Sequence, residues 1–228
     1  MSAVSIAGIC KLILKIMKSI VLFLTITTVL FSCSTGKHAA NYKQIKKSID
    51  TLVVLSPMIV IDASDYNGKR IIDYELENNV RKFLTDKLYS LLTGKYVIES
   101  DFSNNEYKDE NIIEFANLLR NIKQSKNPIQ NLVLPNSIYQ NHNTGKYFLF
   151  IYLKGHYTIG VSPYETLGNN NSINLTPART ANEEVGVLLL NNKNELIYFN
   201  SVFSVNDPRL QELTERDFIK VIKSIYYK

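Results

Sequence analysis

Cysteine is nearly absent. Of 228 residues only Cys10 and Cys33 carry a thiol, and both lie close to the N-terminus. A chain trimmed to begin at Cys33 would hold one cysteine, at its own first position. That excludes an internal disulfide, a thiolate metal site and a catalytic thiol in the folded part. Near-avoidance of cysteine also fits export to an oxidising compartment. Histidine is scarce as well: His38, His142 and His156 stand far apart, without the short His/Cys spacing of zinc sites. There is no Gly-x-Ser-x-Gly elbow, no phosphate-binding loop and no His-Glu-x-x-His. No catalytic residue, metal or cofactor can therefore be assigned from motifs. Acid is missing from the first 49 residues, which hold seven lysines; the rest of the chain has 19 basic and 21 acidic residues. The overall excess of +5 is thus an N-terminal property. The remainder lacks the basic footprint of a nucleic-acid binder.

The longest apolar run is Ile20 to Phe31, in "SIVLFLTITTVLFSC". As a helix its length would be about 18 Å, against a hydrocarbon core of about 30 Å. Extension toward the N-terminus meets Lys18, Lys15 and Lys11, each costly at mid-bilayer. A basic flank, a short apolar stretch and small residues beyond it form a secretory signal rather than a membrane span. Residues 1–32 are expected to be that signal. Met17-Lys18 offers a second start that gives a more ordinary leader, and both starts remain open.

The run ends Leu30-Phe31-Ser32-Cys33. It resembles the lipobox of bacterial lipoproteins: an aliphatic residue three before the cysteine, a small one just before it, then Cys. Phe31 stands where that pattern usually has a small side chain. The resemblance implies cleavage between Ser32 and Cys33, with a diacylglyceryl group on the Cys33 thiol and an acyl chain on its amine. Two or more acyl chains make stable anchoring. The expected location is the bacterial cell envelope, on the periplasmic side of the outer membrane, with the lipid as the membrane contact and a further envelope protein as partner.

Residues 33–50, "CSTGKHAANYKQIKKSID", show few apolar positions and no clear period, and read as a flexible tether. Extended, they would reach roughly 55 Å. Lys37, Lys43, Lys46 and Lys47 would either meet anionic head groups or stay solvated.

Residues 51–228 are long enough for one domain with a real core. "TLVVLSPMIVID" reads as buried strand broken at Pro57. Asn67-Gly68 signals a hairpin turn. A helix over "YELENNVRKFLTDKLYSLLTG" puts Leu76, Val80, Phe83, Leu84, Leu88, Leu91 and Leu92 on one face and stops at Gly94. "KYVIES" is a strand, and "DENIIEFANLLRNIK" a helix with Ile112, Phe115, Ala116, Leu119 and Ile122 inward. "KYFLFIYLKGHYTIG" is a long strand at the centre of a sheet. Residues 163–184 form a long loop dense in Asn, Thr and Ser. "VGVLLLNNKNELIYFNSVFS" reads as a hairpin turning at Asn191–Asn194. A last helix begins at Asp207 or Thr214, where Thr214-x-x-Asp217 offers a capping box, and buries Phe218, Val221, Ile222 and Ile225. The fold class is α/β or α+β, a single mixed-sheet domain covered by about three helices.

The order "TLVVLSPMIVID", "ELENNVRKFLTDKLYSLL", "KYVIES" is similar to the opening of small periplasmic lipoprotein domains such as penicillin-binding-protein activators and the curli-secretion lipoprotein. That resemblance covers about 50 residues of pattern and implies a scaffold with a partner-binding role. Pro57 and "DYNGKR" depart from it.

Three readings of function stand. The first is a non-catalytic, lipid-anchored binding or assembly module. The second is a hydrolase-like, lipid-anchored enzyme in which Asp62, Asp73, His156 and Arg179 meet only in the fold. The third is display on the outer surface, with residues 163–184 exposed. Asp62, Asp65, Asn67 and Asp73 resemble a calcium loop, but alignment on Gly68 puts Ala63 at the first ligand position, and a turn explains them. Tyr147, Phe148, Phe150 and Tyr152 read as core, a ligand-binding face being the alternative. Arg179, with Glu183 and Glu184, reads as part of a solvated loop, a ligand clamp being the alternative. Asn174 lies in an Asn-x-Thr pattern of no consequence in a bacterium.

Overall fold

Strand β6, Tyr147–Thr158, carries bulky residues on both of its faces, and this dictates the architecture. Phe148, Phe150 and Tyr152 point one way, Leu149, Ile151 and Leu153 the other, and all are buried. Such a strand needs cover on both sides. The structure, a computed structural model, describes residues 36–65, 67–101, 107–126, 128–129, 132–136, 138–139, 147–160 and 181–226. The signal region with Ser32 and Cys33, together with His142, Asn174, Arg179 and most of the 163–184 loop, lies outside the described residues.

The other strands are β1 (Lys37–His38), β2 (Thr51–Leu55), β3 (Met58–Ser64), β4 (Arg70–Ile72), β5 (Val97–Asp101), β7 (Asn182–Asn191) and β8 (Leu196–Ser204). The helices are α1 (Tyr42–Ser48), α2 (Tyr74–Leu92), α3 (Asp109–Gln124) and α4 (Gln211–Tyr226). Together the strands make one mixed sheet of eight, with β1, β8, β7 and β6 as antiparallel neighbours. On the other edge of β6 two strands share the work: β2 lies parallel to its start and β3 parallel to the rest. β5 lies outside β2, and β4 outside β3.

That division follows from Pro57. The apolar run 51–64 is one line interrupted at Ser56-Pro57, because proline cannot donate to the ladder. The carbonyls freed at the break are used: Tyr107 donates its hydroxyl to Ser56 O at 2.6 Å, and Arg81 Nε reaches Pro57 O at 3.4 Å. The Asn67-Gly68 turn forms as expected. Asp65 Oδ1 accepts the amides of Asn67 and Lys69, and Gly68 takes φ +78°. Asp73 caps α2, accepting from Leu76 N at 3.0 Å. Of the calcium-like aspartates, Asp65 is thereby spent on the turn and Asp73 on the cap.

One face of the sheet is covered by α1, α2 and α4, over Leu52, Val54, Ile61, Leu149, Ile151, Val187 and Leu189. The other is covered by α3 and the segment around Ile129–Tyr139, over Val53, Leu55, Phe148, Phe150 and Leu188. On α3, Leu118 is buried while Ala116 is exposed, so the inward face is rotated from the expected one. On α4 the expected face is buried, but Thr214 lies inside the helix rather than at its cap. No described helix is long and apolar enough to cross a membrane.

The tether expected over 33–50 is corrected from Lys37 onward. β1 pairs with β8, Tyr42 stacks on Tyr198 at 4.8 Å, and Ile49 is fully buried. The Lys37 ammonium donates to the carbonyls of Ile122, Lys123 and Ser125, closing the C-terminal end of α3. The domain therefore starts at about residue 37, not 51. Its fourth helix is α1.

Candidate functional site

Polar side chains gather at one end of the sheet, where β3, β6 and the start of β7 run level. They divide between its two faces.

On the α3 side, alternation along β3 places Asp62 and Ser64 on the same face, and the parallel register sets His156 of β6 opposite Asp62. The Ser64 hydroxyl lies 3.3 Å from His156 Nε2. His156 Nδ1 lies 3.5 Å from Asp62 Oδ1, near it but without the geometry of a hydrogen bond. Arg70 of β4 reaches Asp62 Oδ2, also at 3.5 Å. Imidazole and carboxylate are each about one-fifth exposed, so the group is open to solvent at one side. Farther across the same face Glu184 joins the sheet to α3, accepting from Tyr152 Oη at 2.8 Å and pairing with Lys123 at 2.7 Å.

On the α2 and α4 side, Tyr157 donates to Asp73 Oδ2 at 2.6 Å. The Arg209 guanidinium lies 4.3 Å from the centre of the Tyr157 ring and pairs with the buried Asp207. Burial, reinforced by the hydrogen bond to Asp73, pushes the Tyr157 hydroxyl up to about 12. Beside them Glu183 is wholly buried, accepting from Thr214 Oγ1 at 2.7 Å. Desolvation raises its carboxyl to about 7, and the neighbouring Asp217 charge adds to that. Glu77 on α2 is also buried and raised by desolvation; it accepts the Ile61 amide at 2.9 Å, just below the point where β4 begins to pair. A groove of about 450 Å³ runs between α2 and residues 208–211, floored by Leu76, Val80, Phe83 and Pro208 and edged by Lys82 and Arg209.

The structure thus brings Asp62 and His156 together and separates them from Asp73, which serves the opposite face. Ser64 was not singled out in the sequence, although its position two residues after Asp62 on a strand was a signal for it. Glu183 and Glu184 belong to β7, not to a solvated loop, and each has a packed role.

No protein-family model matches the chain, and no curated protein matches it. Among solved structures, two crystal structures of the PelC dodecamer from Paraburkholderia phytofirmans, one of them of a point variant, are similar to it. The variant is 9% identical with a TM-score of 0.36, over 79% of this chain and 90% of that one. The other is 10% identical with a TM-score of 0.37, over 79% of this chain and 89% of that one. A likeness of that degree carries no information on activity or assembly.

Proposed function

We propose that this is a lipid-anchored envelope protein, held by an acylated Cys33, whose mixed α/β domain binds or positions a partner in the periplasm without turning over a substrate. The observation that carries the reading is the sequence Leu30-Phe31-Ser32-Cys33, followed within four residues by the first strand of a folded domain. Support for a binding role comes from the polar groups. Asp73, Asp207, Glu183 and Glu77 are each engaged in a cap, an ion pair or a buried hydrogen bond, and they do not converge with Asp62 and His156. Anchoring suits such a module because confinement raises its effective concentration near membrane-bound partners.

Intact-mass spectrometry of the protein expressed in a bacterial host tests the anchor. The expected product begins at Cys33 and carries acyl mass, which a Cys33→Ala variant lacks. An unmodified chain with its leader intact would overturn the reading.

One observation favours a second reading. Ser64, His156 and Asp62 stand in the order nucleophile, base and orienting acid, on the correct ring nitrogens. As an acyl-transfer site, Ser64 Oγ would attack a carbonyl carbon and pass its proton to His156 Nε2. The imidazolium would protonate the leaving group, and water would then release the acyl group from serine. A fluorophosphonate probe decides: an adduct on Ser64 that disappears in His156→Ala establishes this reading, and the absence of an adduct removes it.

A further inference from the structure

The first helix of the domain, which begins nine residues after Cys33, presents a cationic side. Helix α1 is fixed in rotation by Tyr42, stacked on Tyr198, and by Ile45 and Ile49, packed into the core. At about 100° per residue, Lys43, Lys46 and Lys47 fall together on an adjoining arc of roughly 100°. Lys43 and Lys47 are exposed and Lys46 is half-buried. The first acid of the chain, Asp50, comes only after the helix has ended. Lys37 does not belong to this side, since its ammonium closes the end of α3. That engagement, with the β1–β8 pairing, holds the start of the domain in place.

Chain length then limits where the helix can be. Lys37 is the fourth residue after Cys33, a reach of about 14 Å at most. A lipid at Cys33 therefore draws the edge bearing β1 and α1 down to the head groups, instead of leaving the domain about 55 Å away on a tether. Net positive charge without an intervening acid is complementary to an anionic bilayer surface, each lysine there strengthening contact by roughly fivefold.

We propose that the Lys43, Lys46 and Lys47 side of α1 docks on anionic phospholipid head groups and sets the orientation of the domain. The inference rests on the acylation of Cys33. It also assigns a direction to the sheet. Ser48 of α1 lies 3.4 Å from the Tyr147 hydroxyl, at the start of β6. His156, nine residues farther along that strand, is roughly 30 Å away. Docking through α1 turns the Asp62–His156 end, with the Tyr157–Arg209 cluster beside it, away from the bilayer and toward soluble or opposing partners.

The test uses the full acylated protein, reconstituted into phosphatidylcholine vesicles with or without phosphatidylglycerol. Lysines are labelled with an amine-reactive acetylating reagent and read individually by mass spectrometry. The expected result is labelling of Lys43 and Lys47 slowed about fivefold or more by phosphatidylglycerol, the slowing being lost at high salt. Lys69 and Lys154, exposed at the other end of β6, should label at the same rate in both vesicles. Protein that floats with the vesicles but labels equally at Lys43 and Lys47 in both would overturn the docking and leave the anchor standing. Equal protection with and without phosphatidylglycerol would overturn it too, pointing to a protein contact instead. A chain that fails to float with either vesicle would overturn the anchor, and the docking with it.

Discussion

Replacing Gly186 by alanine is expected to cost the domain roughly 3 kcal/mol, although a single methyl group is added. Gly186 of β7 pairs directly with Tyr152 of β6. The tyrosine ring lies across the space that a side chain at 186 would fill. A Cβ there would stand 2.2 Å from Cε1 of Tyr152, 2.5 Å from Cζ and 2.6 Å from the hydroxyl oxygen. The ring is not free to swing aside. Phe115 of α3 meets it edge-on at 5.2 Å, and its hydroxyl donates to Glu184 Oε1 at 2.8 Å. Burial and the adjacent carboxylate hold that hydroxyl well above its usual titration range, so it stays a donor. Moving the ring breaks this bond and pushes aromatic atoms into a packed layer. Urea unfolding of Gly186→Ala should show the full loss, and the same change in a Tyr152→Leu background should cost much less. A penalty below about 1 kcal/mol in the wild-type background would mean that the layer yields easily, contrary to this packing.

The same region shows what could be read in the sequence. Strand β6 was legible because it is apolar on both faces, and α2 because its period runs for five turns. The Asn67-Gly68 and Asn191–Asn194 turns were legible because each needs left-handed backbone, supplied here by Gly68 and by Asn194 at φ +62°. What escaped depends on distant partners. In residues 37–49 the large apolar side chains are only Tyr42, Ile45 and Ile49 among lysines, and the burial of Tyr42 requires Tyr198, some 150 positions away. Local pattern therefore described a tether where there is a strand and a helix. On α3 the period was visible but its phase was not, since Leu118 and Ala116 exchange places once Phe150 and Tyr152 are there to be covered. The site was less legible still. Asp62 and Ser64 share a face by simple alternation, but His156 joins them only through the parallel register of β3 and β6. Such a register is set by the Pro57 break and by the whole sheet, and no local spacing encodes it. Thr214 and Asp217 matched a capping box. Their side chains serve the buried acid Glu183 and the amide of Asn206 instead.

Glu183 makes the domain less stable as the pH rises. Its carboxyl is raised from an unfolded value near 4.5 to about 7, first by desolvation and then by the charges of Asp217 and Asp207, against hydrogen bonding with Thr214 and Asn206. No ion pair among the described residues reaches it: Asp217 takes Lys220 at 2.7 Å, and Asp207 takes Arg209 at 2.7 Å. Oε1 is buried without a hydrogen-bond partner, a position that suits a neutral acid better than a carboxylate. The folded state therefore binds the proton more tightly than the unfolded chain, and between the two values stability falls with pH. Below about pH 4.5 both states are protonated and this group is neutral in its effect. Above about 7 both are ionised, and the full penalty of roughly 3 kcal/mol applies. Comparison with Glu183→Gln isolates it from the other titrating groups. The amide keeps an oxygen for Thr214 and carries no charge at any pH. Urea unfolding of both proteins at pH 5 and pH 8 should shift the difference between them by about 2 to 3 kcal/mol toward the variant at the higher pH. A difference that stays constant across that range would mean that Glu183 ionises alike in the folded and unfolded chains. The Thr214 contact would then hold a carboxylate from the outset, and the pH dependence of the fold would have to arise elsewhere.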